Sequence, residues 1–161
     1  MPLQANNPAP DFSLPDETGT MRSLLEYRGK PVVLYFYPKD DTPGCTKEAC
    51  NFRNDYSVYA ENGVVILGVS PDTSKSHTKF KVKYNLPFSL LADEGHKVCD
   101  LYGVWGPKKM MGRAYDGVLR TTFLIGPDGM IIKTWEGVKP DGHSKEVIEA
   151  LSAWKNADPV N

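Results

Sequence analysis

The 161-residue sequence lacks long hydrophobic runs, a surplus of charge of either sign and a cysteine-rich framework. No segment approaches the ~18 apolar residues that a membrane span needs, and the N-terminal MPLQANNPAPDF has neither the basic nor the apolar region of a secretory signal. Lys and Arg number 19 against 20 Asp and Glu, so no basic field is available for nucleic acid or an anionic membrane. These absences predict a cytoplasmic protein that binds neither nucleic acid nor membranes.

Cysteine is scarce, and its positions are more informative than its number. The three cysteines, at positions 45, 50 and 99, form an odd set in a chain large enough to build a core without disulfides. The sequence contains no internal repeat or linker, so residues 1–161 are expected to form one domain. An odd set of thiols in such a domain fits a reducing compartment and favours reactivity over cross-linking.

The apolar pattern predicts strands that alternate with helices along most of the chain. The predicted strands are 31–37, 64–69 and 89–91, with a short N-terminal hairpin before them and a hairpin of 121–125 and 130–135 after them. The predicted helices are 43–62, 73–84, 96–102 and 140–155. This order predicts an α/β, thioredoxin-like fold with a mixed central β-sheet flanked by helices and an N-terminal β-hairpin extension. A flavodoxin-like fold would lack the late hairpin.

One connection, residues 103–119, has no predicted element. Its large side chains Trp105, Met110, Met111 and Tyr115 are compatible with a pocket wall, a partner-binding face or a flap packed on the core.

The segment YPKDDTPGCTKEAC places Cys45 at the start of a predicted helix. Thr42 is suited to the N-cap, Pro43 to the first helical position and Gly44 to the next. The third position, which often holds Glu or Gln, here holds a thiol. Unpaired backbone N–H groups and the helix dipole favour a thiolate there, and a thiolate is the nucleophilic form of cysteine.

The negative charges of Asp40 and Asp41 oppose that effect, so a cation from elsewhere in the chain is expected near Cys45. Arg120, at the start of the predicted strand 121–125, is the candidate. Alternatively Cys45 is an inert core residue, as many cysteines are. Its place between the carboxyl end of a strand and the start of a helix favours the functional interpretation, because α/β sheets commonly carry their sites there.

Cys50 lies five residues beyond Cys45 on the same predicted helix. Five helical residues separate Cα atoms by roughly 8 to 9 Å and turn the side chains onto different faces, whereas a disulfide needs Cα atoms within about 7 Å. The two thiols therefore cannot bond while the helix is intact. The spacing suits an attacking and a resolving cysteine that meet after the first turns unwind, although Cys50 facing the core without a role stays an alternative.

The same segment resembles the PxxxTxxC signature of peroxiredoxins, and YPKDDTPGCTKEACNF is similar to their bacterioferritin comigratory protein, or peroxiredoxin Q, branch. The likeness extends to APDFSLPDETG, LGVSPD, LPFSLLAD, YGVWGPKKMMG and RTTFLIGPDG. It implies a thioredoxin-like fold and reduction of hydrogen peroxide and organic hydroperoxides without a cofactor. It also implies thioredoxin as the reductant, a role in antioxidant defence and a monomer.

The resemblance assigns roles to individual residues. Cys45 corresponds to the peroxidatic thiol, and Cys50 to the resolving thiol that many members of this branch have. Thr42 holds the peroxide, and Pro38 shields the thiolate from water. Arg120 places its guanidinium against sulfur and peroxide, and Glu48 orients that arginine. Cys99 corresponds to no catalytic position and is expected to be a bystander.

Two other functional classes share some of these features. A thiol-disulfide oxidoreductase would have the same fold but normally uses CxxC, which the four intervening residues argue against. A redox sensor that switches through Cys45 and Cys50 is retained as an alternative function. The three histidines, His77, His96 and His143, show no ligand spacing with the cysteines, which argues against zinc, and surface positions are expected for them.

Overall fold

The computed structural model describes residues 1–157, apart from the side chain of Met110. Its strands are β1 (Ser13–Pro15), β2 (Met21–Ser23), β3 (Val32–Phe36), β4 (Val65–Ser70), β5 (Ser89–Ala92), β6 (Trp105–Met110), β7 (Arg113–Val118), β8 (Thr121–Ile125) and β9 (Ile131–Trp135). Its α-helices are α1 (Pro43–Asn54), α2 (Tyr56–Glu61), α3 (Ser74–Tyr84), α4 (Lys97–Leu101) and α5 (His143–Asn156). Among these helices, none has both the length and the hydrophobicity that crossing a membrane would require.

The central sheet has the strand order β5-β4-β3-β8-β9. Strand β3 runs parallel to β4 and antiparallel to β8, and the two outer pairs continue these directions. All five residues of β3 and all five of β8 are buried. A strand covered on both faces reads as a continuous apolar run, which is why the sequence predicts β3 well. The predicted mixed sheet and the N-terminal hairpin β1–β2 are confirmed.

The sheet separates two hydrophobic layers. Because side chains alternate along a strand, Leu34 and Phe36 enter one layer, while Val33 and Tyr35 enter the other. The second layer also contains Cys45. The cysteine thus lies where helix α1 packs against the sheet, at the end of β3.

Two predicted segments differ from the structure. The predicted helix 43–62 is divided into α1 and α2 at Asp55, which caps the end of one and the start of the other. The segment 103–119 is not a loop but largely the hairpin β6–β7, which turns through Met111 and Gly112 at positive φ. Most residues of β7 are exposed. A strand that buries neither face shows little apolar alternation, so its sequence does not predict a strand.

The expected surface positions of two histidines are also wrong. The side chains of His77 and His143 are buried, and only His96 is partly exposed. His143 Nε2 lies 2.8 Å from Thr122 Oγ1 on β8. Burial lowers its pKa, which favours the neutral ring. Composition and spacing cannot reveal such burial, because it depends on hydrogen-bond partners that are distant in sequence.

Candidate active site

Cys45 lies in the first turn of α1 and is 1% exposed. Nη2 of Arg120 donates a hydrogen bond to Cys45 Sγ at 3.3 Å. Nη1 of the same guanidinium donates to Glu48 Oε1 at 2.7 Å. Cys45 and Glu48 are three residues apart and therefore share one face of the helix. One planar guanidinium thus bridges the thiol and the carboxylate, a geometry that lysine could not reproduce.

Glu48 is buried deeply enough for its ionisation to depend on its surroundings. Burial raises the pKa of Glu48 to about 7, although the Arg120 guanidinium opposes that rise. Burial also disfavours the charge on Arg120, but the opposite charges of Glu48 and Cys45 outweigh it and raise the pKa of Arg120. Arg120 therefore remains a cation beside the thiol, and its carboxylate partner titrates near neutral pH.

Thr42 occupies the N-cap position of α1, but its side chain makes no capping hydrogen bond. Its hydroxyl donates to the Lys39 carbonyl at 2.9 Å. Because that proton is engaged, the Thr42 oxygen offers a lone pair to the space beside Cys45. Within residues 1–157, the backbone N–H groups of Gly44 and Cys45 meet no acceptor, so these two groups are the free donors at the helix start.

Asp40 anchors the segment that precedes Thr42. Its buried carboxylate accepts hydrogen bonds from Tyr37 Oη at 2.6 Å and Ser76 Oγ at 2.8 Å, and it lies 2.7 Å from His77 Nδ1. His77 Nε2 lies 2.9 Å from the Leu91 carbonyl, which can only accept, so Nε2 carries a proton. Nδ1 and the carboxylate must then share a second proton between them.

Two further contacts fix the same segment. The Asp40 backbone N–H donates to Asp72 Oδ2 at 2.8 Å. Asp41 has a φ of +56° and accepts hydrogen bonds from Lys83 Nζ and Tyr84 Oη on α3. Both aspartate charges are thus engaged by groups on or next to α3. Asp40, Asp72 and His77 lie close enough together to bind a metal ion, but hydrogen bonds already engage both Asp40 oxygens, both His77 nitrogens and Asp72 Oδ2.

All three thiols are free, as expected for Cys45 and Cys50 on an intact helix. Cys50 is partly exposed and lies outside the lining of the cavity in front of Cys45. Cys99 is buried in the other core layer, where burial and the neighbouring Asp93 raise its pKa. A thiol held in that protonated form is a poor nucleophile.

A cavity of about 590 Å³ opens in front of Cys45. One wall is the segment from Pro38 to Cys45, and the other is the hairpin β6–β7, including Trp105, Lys108 and Tyr115. Residues 103–119 therefore contribute a wall of the pocket, which is one of the three roles compatible with their sequence. Met111 at the hairpin tip is 97% exposed, and the side chain of Met110 lies outside the described residues.

The structure brings most of the sequence-predicted site residues together. Pro38, Thr42, Cys45 and Arg120 line the cavity, and Glu48 lies behind Arg120. Sequence reasoning missed Lys108 as a lining residue, because the hairpin that carries it was not predicted. It also missed the anchoring role of Asp40, since His77 and Ser76 are more than thirty residues away along the chain.

Known proteins share sequence and fold with this chain. The model of the AhpC/TSA family matches residues 5–134. The chain is 52% identical over 151 residues to the putative peroxiredoxin bcp of Coxiella burnetii, with 94% of this chain and 100% of the relative covered. It is 48% identical over 151 residues to peroxiredoxin Bcp of Bacillus subtilis, with 94% and 96% covered.

Solved structures show the same likeness. The bacterioferritin comigratory protein of Xanthomonas campestris, described in a study of its alkyl peroxide reduction activity, superposes with a TM-score of 0.87 at 37% identity. The match covers 93% of this chain and 98% of that one. A PrxQ of Xylella fastidiosa superposes with a TM-score of 0.86 at 34% identity, and the match covers 96% of each chain.

Proposed function

The chain belongs to the AhpC/TSA family and is a thiol-dependent peroxidase like its Bcp and PrxQ relatives, and we propose that Cys45 is its peroxidatic residue. The substrates are hydrogen peroxide and organic hydroperoxides. The observation that carries the assignment is the Arg120 guanidinium, which lies 3.3 Å from Cys45 Sγ at the base of an open cavity. A fixed cation beside the sulfur favours the thiolate that attacks a peroxide.

The proposed first step transfers one oxygen atom to Cys45. The thiolate attacks the terminal oxygen of the hydroperoxide, so an S–O bond forms as the O–O bond breaks. Sulfur is oxidised to sulfenic acid, and the peroxide is reduced to an alkoxide or hydroxide that takes a proton from water. Negative charge grows on the leaving oxygen, where Arg120 and the free Cys45 N–H stabilise it. The Thr42 oxygen accepts the hydrogen bond of the hydroperoxide O–H.

Cys50 is the proposed resolving residue. After the first turns of α1 unwind, its thiol attacks the sulfenic sulfur, an S–S bond forms and water leaves. An external dithiol, proposed to be thioredoxin, then reduces the disulfide by two thiol exchanges. Partial exposure of Cys50 supports this role, since a fully buried thiol would be harder to release. We further propose that the chain is a cytoplasmic monomer of one domain.

The test is peptide mass mapping after one equivalent of peroxide, combined with steady-state assays containing thioredoxin and its reductase. Cys45→Ser should abolish the reaction with peroxide. Cys50→Ser should retain the first oxidation, accumulate sulfenic acid and lose thioredoxin-supported turnover. Cys99→Ser is the matched control and should behave as the wild-type protein does, because Cys99 lies in the other core layer.

Each variant has an outcome that contradicts its assignment. Unchanged peroxide consumption by Cys45→Ser would remove Cys45 from the reaction, and normal cycling of Cys50→Ser would remove the resolving role. A protein that is oxidised once and then fails to turn over with thioredoxin would fit the redox-sensor alternative instead. Sedimentation of the reduced and oxidised protein tests the monomer.

A further inference from the structure

Lys108 supplies a second cation to the cavity in front of Cys45. It lies on β6, is partly buried, and donates from Nζ to the Val118 carbonyl at 2.8 Å. A neutral carbonyl fixes the ammonium in place without cancelling its charge. Within residues 1–157, no carboxylate lies within ion-pair distance of Lys108, whereas the charge of Arg120 is matched by Glu48.

The surroundings of Lys108 strengthen its attraction for an anion. The charged side chains that line the cavity are Lys39, Lys108, Arg120 and Asp116, so cations outnumber carboxylates. Apolar groups such as Trp105 share the wall, and a charge acts more strongly where apolar atoms displace water. Burial and the neighbouring Arg120 lower the pKa of Lys108, and the negative charge of Cys45 opposes that fall only in part.

We propose that Lys108 is a specificity-determining residue that binds negative charge on the non-reacting part of an organic hydroperoxide. The peroxidase then prefers hydroperoxides that carry a carboxylate over neutral ones with the same skeleton. The proposal rests on the proposed function, because the reacting oxygen atoms must lie at Cys45 and Arg120 while the remainder of the substrate extends along the hairpin wall.

The chain offers a matched control for Lys108. Lys109 is the next residue on β6, and neighbouring side chains of a strand point to opposite faces. Lys109 is exposed and is not part of the cavity lining. Lys109→Met therefore removes one positive charge from the same strand without removing one from the cavity.

The experiment measures the second-order rate constant of Cys45 oxidation in single-turnover stopped flow. The two probes are cumene hydroperoxide and its para-carboxylated derivative, which differ in charge but share the reacting group. Lys108→Met should slow the reaction with the carboxylated probe about tenfold and leave the neutral probe within twofold. Lys108→Arg should keep the preference, and Lys109→Met should leave the ratio of the two rates unchanged. Added salt should reduce the ratio more strongly in the wild-type protein than in Lys108→Met, which retains Lys39 and Arg120 in the cavity.

Three results would overturn the proposal. Equal slowing of both probes would show that Lys108 acts on Cys45 or Arg120 rather than on the substrate charge. An unchanged ratio would show that it does not select substrates. A rate ratio that does not change with salt in the wild-type protein would also show that charge does not select substrates, and this measurement does not require Lys108→Met to fold. If wild-type Cys45 does not react with the neutral probe, the proposed function itself fails, since that reaction does not involve Lys108.

Discussion

The two segments that flank Cys45 are held in different ways. Upstream, the buried Asp40 carboxylate is surrounded by three hydrogen-bonding side chains, and its backbone N–H is bound as well. Downstream, the first turn of α1 has no side-chain cap, and the buried Glu48 depends on Arg120 alone. The second Glu48 oxygen, Oε2, is buried and unpaired among the described residues.

This difference indicates which segment would move in the proposed step that brings Cys50 to Cys45. A fully paired buried network is costly to disrupt, whereas an uncapped first helical turn belongs to the least stable part of a fold. We therefore expect the segment from Tyr37 to Thr42 to stay in place while the first turns of α1 unwind. Substitutions on the two sides should accordingly affect different measurements.

The largest expected effect comes from the upstream anchor. Asp40→Ala would leave the buried His77 and Tyr37 Oη, and the partly buried Ser76 Oγ, without their shared partner. Loss of one member of such a buried network costs roughly 3–5 kcal/mol. Chemical denaturation should show this loss, together with slower oxidation of Cys45. Asp41→Ala is the control, because its partners Lys83 and Tyr84 are exposed at that contact. Equal losses in the two variants would contradict a special role for the buried anchor.

Arg120→Lys tests the contact that joins the two sides of the site. A lysine keeps the positive charge, but its N–H groups all lie on one nitrogen and cannot span Cys45 Sγ and Glu48 Oε1 as the two Nη groups of the guanidinium do. Loss of one donor that stabilises a transition state typically lowers the rate 10²–10³-fold. Stopped-flow oxidation of Cys45 by hydrogen peroxide should show a loss of about that size.

Arg113→Lys on the exposed hairpin is the control for Arg120→Lys and should be neutral. A normal rate in Arg120→Lys would mean that charge alone, rather than guanidinium geometry, assists the thiol.

The same comparison shows which parts of the molecule could be predicted from sequence. The signature from Pro38 to Cys45 combines a strand end, a proline at the first helical position and a thiol, so local rules suffice to place it. Arg120 could be proposed because the chemistry requires a cation. The Asp40 to His77 network could not, since a histidine on an amphipathic helix looks the same whether its ring is buried or exposed. The hairpin β6–β7 was missed because exposed strands lack apolar alternation.

Glu48→Gln tests the downstream ion pair through pH. Folding raises the pKa of Glu48 from an ordinary value of 4.5 to about 7, so the folded state binds more protons between these values. Folded-state stability should then fall as pH rises from about 4.5 to about 7, by up to about 3 kcal/mol from this group. Glu48→Gln removes this titration. The free energy of unfolding of the variant, relative to that of the wild-type protein, should therefore increase by a similar amount as pH rises from about 4.5 to about 7.

Urea unfolding at pH 5 and pH 8 measures the Glu48 effect. Glu61→Gln, at the exposed end of α2, is the control and should show the same pH dependence as the wild-type protein. If Glu48→Gln also follows the wild-type curve, burial of Glu48 does not govern its titration.

The smallest expected effect, Gly44→Ala, tests the unwinding itself. An added Cβ would lie 3.2 Å from Arg120 Nη2 and 3.5 Å from Pro140 Cγ, a tight fit that needs only a small shift. Alanine favours the helix over glycine by about 1 kcal/mol, so disulfide formation after the first oxidation should slow about fivefold. Rapid-quench mass spectrometry separates the two steps, and Lys47→Ala is the control because both residues are good helix formers. The backbone N–H groups at positions 44 and 45 stay uncapped in both the wild-type protein and Gly44→Ala, so the variant changes helix propensity and not the capping of this turn. Unchanged disulfide formation in Gly44→Ala would therefore mean that Cys50 reaches Cys45 by motion of another segment.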